Sequence, residues 1–149
     1  LTILSRNMHL LEKQGRSVIL TPHIGEFKRL CHVEDYPDLM IAAQSFASQY
    51  HCILVLKGPH TIVTEGKSSY RIASGNKAMA VGGMGDTLAG IITSLLGQGY
   101  EPLDAAILGV YIHGRAGDEV AKQAYTVIPE KLIEEIPHTM ALLIGEIEK

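Results

Sequence analysis

The sequence predicts a layered α/β fold. Strand-like and helix-like segments alternate along the chain, the run from Cys52 to Leu56 is apolar on both faces, and the longer segments repeat apolar residues every three or four positions. With 149 residues, 46% of them hydrophobic, the chain can bury one sizeable core and reads as a single domain, 1–149.

Leu4, Met8, Leu10 and Leu11 fall at helical spacing, which predicts a helix from Leu4 to a stop at Gly15. Ser17 to Thr21 is a short β-branched run closed by Pro22, the pattern of a buried strand. A short helix is expected from Gly25 to Leu30 and a longer one from Asp38 to Tyr50, burying Leu39, Ile41, Ala42, Phe46 and Ala47. Cys52 to Leu56 is the second buried strand, closed by Lys57-Gly58-Pro59. Thr61 to Thr64 and Ser69 to Ala73, joined through Glu65-Gly66-Lys67-Ser68, read as an antiparallel hairpin.

Leu88, Ile91, Ile92, Leu95 and Leu96 form the stripe of a core-facing helix stopped by Gly97 and Gly99. A long helix follows Pro102 through Leu103, Ala106, Ile107, Val110 and Tyr111, and its glycines, Gly109, Gly114 and Gly117, predict close approach by another element. Pro129 and Pro137 are expected to bound a short helix, Glu130 to Ile136, before a last helix from Thr139 to Ile147.

The segment richest in chemistry is Gly75 to Gly90. Its Gly83, Met84 and Gly85 fall at or just before a helix N-terminus, where amides lack intrahelical acceptors, the dipole favours negative charge, and glycine, three times in the four residues before Asp86, lets an anion come close. Asp86 follows at once. It is either an N-cap or a base that takes a proton from a hydroxyl while the amides stabilise charge on a phosphoryl group. The Lys-Ser/Thr pair of a P-loop is missing, since Asp86-Thr87 stands there, and Leu88 occupies the place of a dinucleotide fingerprint's third glycine. In sequence, the loop is thus followed by an acid and not by a lysine.

Composition excludes several classes. The net charge is −3 with acids and bases interspersed, and with two Phe and no Trp there is neither a basic run nor an aromatic platform for nucleic acid. No apolar stretch approaches the roughly 18–20 residues of a membrane span, and the N-terminus has no signal-peptide plan. Cys31 and Cys52 sit in apolar surroundings outside any zinc or Cys-x-x-Cys pattern, as expected of reduced thiols in the cytoplasm. No His, Cys and carboxylate cluster has dedicated metal-site spacing, so no metal-ligating residue is assigned.

Four segments carry a resemblance. They are Thr21-Pro-His-Ile-Gly-Glu-Phe-Lys-Arg-Leu30, Val55-Leu-Lys-Gly-Pro-His-Thr-Ile62, Asn76-Lys-Ala-Met-Ala-Val-Gly-Gly-Met-Gly-Asp-Thr-Leu-Ala-Gly90 and Tyr111-Ile-His-Gly-Arg-Ala-Gly-Asp118. In this order they resemble the ribokinase-like superfamily, and within it the NAD(P)H-hydrate dehydratases related to the C-terminal domain of YjeF proteins. The Gly-x-Gly-Asp element marks the superfamily; Thr-Pro-His-x-Gly-Glu and Asn-x-x-Met-Ala-x-Gly-Gly narrow it. The resemblance implies a ribokinase-like α/β/α sandwich with a small β-hairpin, of which this chain is the C-terminal part: Leu1 is no initiating Met, and a full domain is nearly twice as long.

The resemblance also implies an activity. Such enzymes repair hydrated NADH and NADPH by removing water with a nucleotide as phosphoryl donor. The hydrate hydroxyl would be deprotonated near Asp86 and phosphorylated, and phosphate would then leave. Lys57, Gly58, Pro59, His60 and Thr61 match the nucleotide loop, with Gly82, Gly83 and Gly85 at the same nucleotide and Asn76 near its phosphates or Mg2+. His23 and Asp86 match positions facing the hydrated substrate. Thr61 and the Met-Ala-x-Gly-Gly-x-Gly-Asp wording look like the bacterial branch, which prefers ADP to ATP, with Mg2+ held by phosphates and water. Relatives imply a homo-oligomer. Two rival readings are a small-molecule kinase of the superfamily and a nucleotide-binding module without turnover. Asp118, Glu26 and His113 are read as a surface acid, a first-turn acid and a structural histidine.

Overall fold

The computed structural model describes residues 1–12, 17–32, 35 and 37–147, apart from the Ile147 side chain. A four-stranded sheet lies between helices in the order β1-β2-β3-β4, with β1 Ile19–Leu20, β2 Ile53–Leu56, β3 Thr61–Thr64 and β4 Ser69–Ile72. β1 and β2 are parallel, pairing Ile19 with Ile53 and Leu20 with Leu54; β2, β3 and β4 run antiparallel in turn. The helices are α1 His9–Glu12, α2 Ile24–Cys31, α3 Leu39–Tyr50, α4 Met84–Gly97, α5 Pro102–Ala121 and α6 Pro129–Ile147.

All four residues of β2 are buried, and successive ones point to opposite faces. Leu54 and Leu56 join Phe27 and Leu30 of α2 and Phe46 of α3 in one core. Ile53 and Val55 join Leu88 and Ile92 of α4 and Ala106 and Val110 of α5 in the other. A third, smaller core gathers Met84, Ala116, Val127 and Leu132 between the start of α4, α5 and α6.

The expected hairpin and the helices at α2, α3 and α4 are present, whereas three expectations are corrected. The segment from Leu4 forms a 3₁₀ turn, Leu4–Arg6, and then α1, and Gly15 lies outside the described residues. The cause is local: Asn7 Nδ2 donates to Ile3 O at 2.9 Å and Ser5 Oγ to Thr2 O at 2.9 Å, so side chains take carbonyls that a helix would use. The first strand is trimmed to Ile19–Leu20, with one further bond from Ile53 N to Val18 O at 2.9 Å. Finally, α6 runs through Pro137 without a break. Pro137 and Ile133 are both exposed, so water can satisfy the Ile133 carbonyl that loses its i+4 donor.

Candidate functional site

Parallel β1 and β2 bring their C-terminal ends to one edge, the edge where open α/β sheets form their crevices. Just beyond, His23 and Lys57 pair as an isolated parallel bridge, and Lys57 N donates to Pro22 O at 2.8 Å. His23 is the N-cap of α2: Glu26 N donates to His23 Nδ1 at 3.2 Å and His23 N donates to Glu26 Oε2 at 2.8 Å, a reciprocal capping box. When the ring is neutral, Nδ1 accepts and the proton is on Nε2, which lies 3.6 Å from Glu26 Oε2 on a half-exposed side chain. Burial pushes the Glu26 carboxyl up, but the His23 N–H bond and the charges of His23 and Lys57 outweigh it and hold the group below its ordinary value.

The glycine segment arrives from the other side. Gly83, at φ +88°, is the N-cap of α4 and supplies no side-chain cap. Asp86 is therefore the third helical residue, three places past the N-cap position considered for it, and it is exposed. Among the described residues, no hydrogen bond is recorded from the amides of Gly82 to Asp86. Five successive donors, three of them at a helix N-terminus, are thus open to an anion.

Lys57 completes the arrangement. Its Nζ lies so near Gly85 that a Cβ added there would stand 2.8 Å from it. The loop that lacks a following lysine in sequence receives one through space from the end of β2. A cation at the positive end of a helix is unfavourable by itself, by about 0.3–1 kcal/mol at an exposed site. A phosphate between the ammonium and the open amides reverses that sign.

The remaining nucleotide-loop residues, Gly58, Pro59 and His60, are exposed between β2 and β3, and Thr61 Oγ1 donates back to Gly58 O at 3.5 Å. Asn76 is turned another way. Its Nδ2 donates to Asp118 Oδ1 at 2.7 Å and to Gly117 O at 3.3 Å, while its Oδ1 accepts from Ala78 N at 2.9 Å. These bonds tie it to α5 and cap the 3₁₀ turn Lys77–Met79. A cleft of about 490 Å³ begins at Asp86 and Thr87 and continues between Ile91, Leu95, Ile112 and Ile136. A second cleft of about 520 Å³, between α2 and α3 beside Leu30, Phe46 and Tyr50, has none of the anion-loop residues on its wall.

A family model described as NAD(P)H-hydrate dehydratase matches residues 1–138. The chain belongs to the NAD(P)H-hydrate dehydratase family. The ADP-dependent (S)-NAD(P)H-hydrate dehydratase of Listeria monocytogenes is 39% identical over 117 residues, covering 78% of this chain and 41% of that relative. The solved structure of the Bacillus subtilis ADP/ATP-dependent NAD(P)H-hydrate dehydratase, co-crystallised with ATP/Mg2+, is similar with a TM-score of 0.79 and 32% identity, over 84% of this chain and 47% of that one. A ribokinase-like superfamily protein from Enterococcus faecalis is similar with a TM-score of 0.80 and 33% identity, over 94% and 49% of the two chains. The fold is accordingly the ribokinase-like layered α/β arrangement, and the chain spans about half the length, or less, of these relatives.

Two residues of this dehydratase-family chain, read from the sequence as a structural histidine and a surface acid, bear on the site. Desolvation lowers the His113 pKa from 6.5 to about 4, with Lys57 adding to the shift and a hydrogen bond to the Met84 backbone opposing it. His113 is thus a neutral imidazole beside the first residue of α4, with Nε2 enclosed and unpartnered among the described residues. The other is Asp118, which holds Asn76. The available signal was periodicity: Gly114, Gly117 and Asp118 share one face of α5.

No helix among the described residues is long and apolar enough to cross a membrane. Cys31 and Cys52 form no disulfide, and burial pushes the Cys52 thiol up to about 11.

Proposed function

We propose that this chain carries the phosphoryl-handling part of an ADP-dependent dehydratase that repairs hydrated NADH and NADPH. The observation that carries the reading is the open amide row from Gly82 to Asp86 with the Lys57 ammonium above Gly85 and the exposed Asp86 carboxylate beside it. The names of the relatives support the donor and the substrate: the Listeria protein is named as ADP-dependent, and the Bacillus subtilis protein was crystallised with ATP/Mg2+.

In this reading Asp86 accepts the proton of the hydrate hydroxyl as that oxygen attacks the terminal phosphorus of the nucleotide. The Gly83 to Gly85 amides and Lys57 stabilise the charge gathering on the transferred group, and they are fixed before the reaction begins. As the O–P bond forms, the bridging P–O bond of the nucleotide breaks and the nucleotide leaves one phosphate shorter; phosphate then departs with the C–O electron pair, where hydroxide could not, the adjacent ring carbon gives a proton to water, and the dihydropyridine is restored. His23 lies within reach of the same edge and would meet the substrate with its Nε2 proton. Gly58 to Thr61 would line the nucleotide on the opposite side.

Among the described residues no three His, Cys, Asp or Glu side chains converge as a metal cage. That suits Mg2+ bound through phosphate oxygens and water, with Asp86 the carboxylate closest to the anion loop. Bound there, Mg2+ would neutralise phosphate charge. The same reading treats the 149 residues as one ribokinase-like unit acting in the cytoplasm within a homo-oligomer.

Incubating the complete protein with hydrated NADH and either ADP or ATP tests the proposal through the return of reduced-nicotinamide absorbance. Recovery with a nucleotide and none without it is expected. No recovery with either nucleotide overturns the reading, and phosphate transfer to a different alcohol would make the protein a kinase.

A further inference from the structure

The anion loop is held at a second point, far from its helix. Three residues on one face of α5, Gly114, Gly117 and Asp118, receive the segment from Ser74 to Met79. A Cβ at Gly114 would collide with Ser74 Oγ and stand 2.6 Å from the Ser74 carbonyl carbon, so a side chain there would displace the segment's backbone, and one at Gly117 would collide with the Met79 side chain and push it from its place. Ser74 Oγ also donates to Tyr111 O at 3.2 Å, one turn earlier on the same face.

Asp118 closes this seat with both carboxylate oxygens. Its Oδ2 accepts from Gly75 N at 3.0 Å and its Oδ1 from Asn76 Nδ2 at 2.7 Å, bonds that span 43 and 42 residues of sequence. Asn76 passes the constraint on by accepting from Ala78 N, and Ala78 O accepts from Val127 N at 3.0 Å. Val81 N then donates to Met79 O at 2.8 Å, which fixes the chain one residue before Gly82. Ala78, Met79 and Val81 pack with Met84 in the small core under α6. The open amides thus hang between two anchors, the Asp118 carboxylate before them and the body of α4 after them.

We propose that Asp118 is a positioning residue for the anion loop: by holding Gly75 and Asn76 on α5 it sets the direction in which the Gly82 to Gly85 amides face the transferred phosphoryl group. The inference rests on the phosphoryl-transfer reading for its effect on turnover, but not for its effect on the loop. A misplacement of the order of 1 Å in such donors lowers turnover by about a hundredfold.

The test is a swap. Asp118→Asn puts an amide NH₂ against one of two existing donors, Gly75 N or Asn76 Nδ2, and so breaks one bond of the pair. Combining Asn76→Asp with Asp118→Asn restores the bonds across the seat but not the one to Gly117 O: the new carboxylate at 76 accepts from Ala78 N and from the amide at 118, whose oxygen accepts from Gly75 N, but it cannot donate to Gly117 O. In the complete protein, Asp118→Asn should lower kcat by about ten- to a hundredfold, and the double variant should exceed the single one by at least about threefold. Amide hydrogen exchange without nucleotide should quicken by roughly tenfold at Ala78, Val81 and Val127, whose amides are bonded within or to the held segment, in the single variant and slow again in part in the double one.

A kcat within about twofold of wild type for Asp118→Asn, or a double variant no better than the single, overturns the proposal. So does faster exchange spread equally over α3, which would mark general destabilisation. If the wild-type protein returns no reduced nicotinamide, the functional reading fails, and the exchange measurement still decides the role of Asp118.

Discussion

Lys57 and Gly85 lie 28 positions apart in sequence, yet the lysine's ammonium occupies the space that a side chain at 85 would need. The absence of a Cβ thus lets a positive charge reach the first turn of α4 and stand beside its unbonded amides. Gly85 has an ordinary helical φ, so its glycine is explained by this contact and not by backbone strain.

Gly85→Ala separates stability from ligand binding. Alanine inside a helix is favoured over glycine by up to about 1 kcal/mol, and the Lys57 side chain can swing away cheaply. Thermal unfolding should therefore occur at the same temperature or higher, while the ADP Kd should rise about tenfold, equivalent to about 1.4 kcal/mol. Calorimetric titration beside a melting curve checks both. Unchanged ADP affinity would remove Lys57 and Gly85 from the phosphate site.

Asp86→Asn keeps the shape of the first turn and removes the base. Turnover of hydrated NADH should fall by about 10²- to 10⁴-fold, with ADP affinity held within about threefold. Near-normal turnover would leave Asp86 as a helix residue with no part in proton transfer.

His113 predicts a pH dependence of stability. Its pKa is lowered from 6.5 to about 4, so between those values the unfolded chain binds a proton that the folded chain refuses. The stabilisation is complete above about pH 6.5 and is lost as the pH falls towards 4, a change on the order of 3 kcal/mol. Urea unfolding at pH 7.5 and 4.5 should show a smaller loss for His113→Gln than for the native sequence. Equal losses would mean that His113 is charged in the folded protein.

Pro137→Ala should strengthen α6. The substitution supplies an N–H for the Ile133 carbonyl on an exposed part of the helix, worth on the order of 1–2 kcal/mol after allowing for the greater freedom of the unfolded chain. A higher melting temperature with unchanged helix content near saturation would fit. A lower one would show that the proline ring packs usefully.

Local signals were readable wherever they repeat. The apolar run from Cys52 to Leu56 gave a strand buried on both faces, and the stripe from Leu88 to Leu95 gave α4, although Leu96 turns outward. The three α5 glycines announced close approach, and Ile92, Ser74 and Met79 are what approach. Pro137 misled because the break expected of an interior proline is avoided when the orphaned carbonyl faces water. The glycine segment before α4 was legible as a candidate anion loop, but Lys57 over Gly85 and Asp118 under Asn76 were not. Both contacts join residues remote in sequence, and only the order of strands and helices brings them together.

Four consecutive residues of β2 are gripped alternately from above and below. Sliding the strand by one position would carry leucines into the wrong layer and valine out of its own, so the strand is locked along its length. Lys57, the very next residue, is consequently delivered at a fixed height, like the tip of a clamped ruler. A single residue inserted anywhere in β2 would withdraw that tip from α4 while leaving every loop intact.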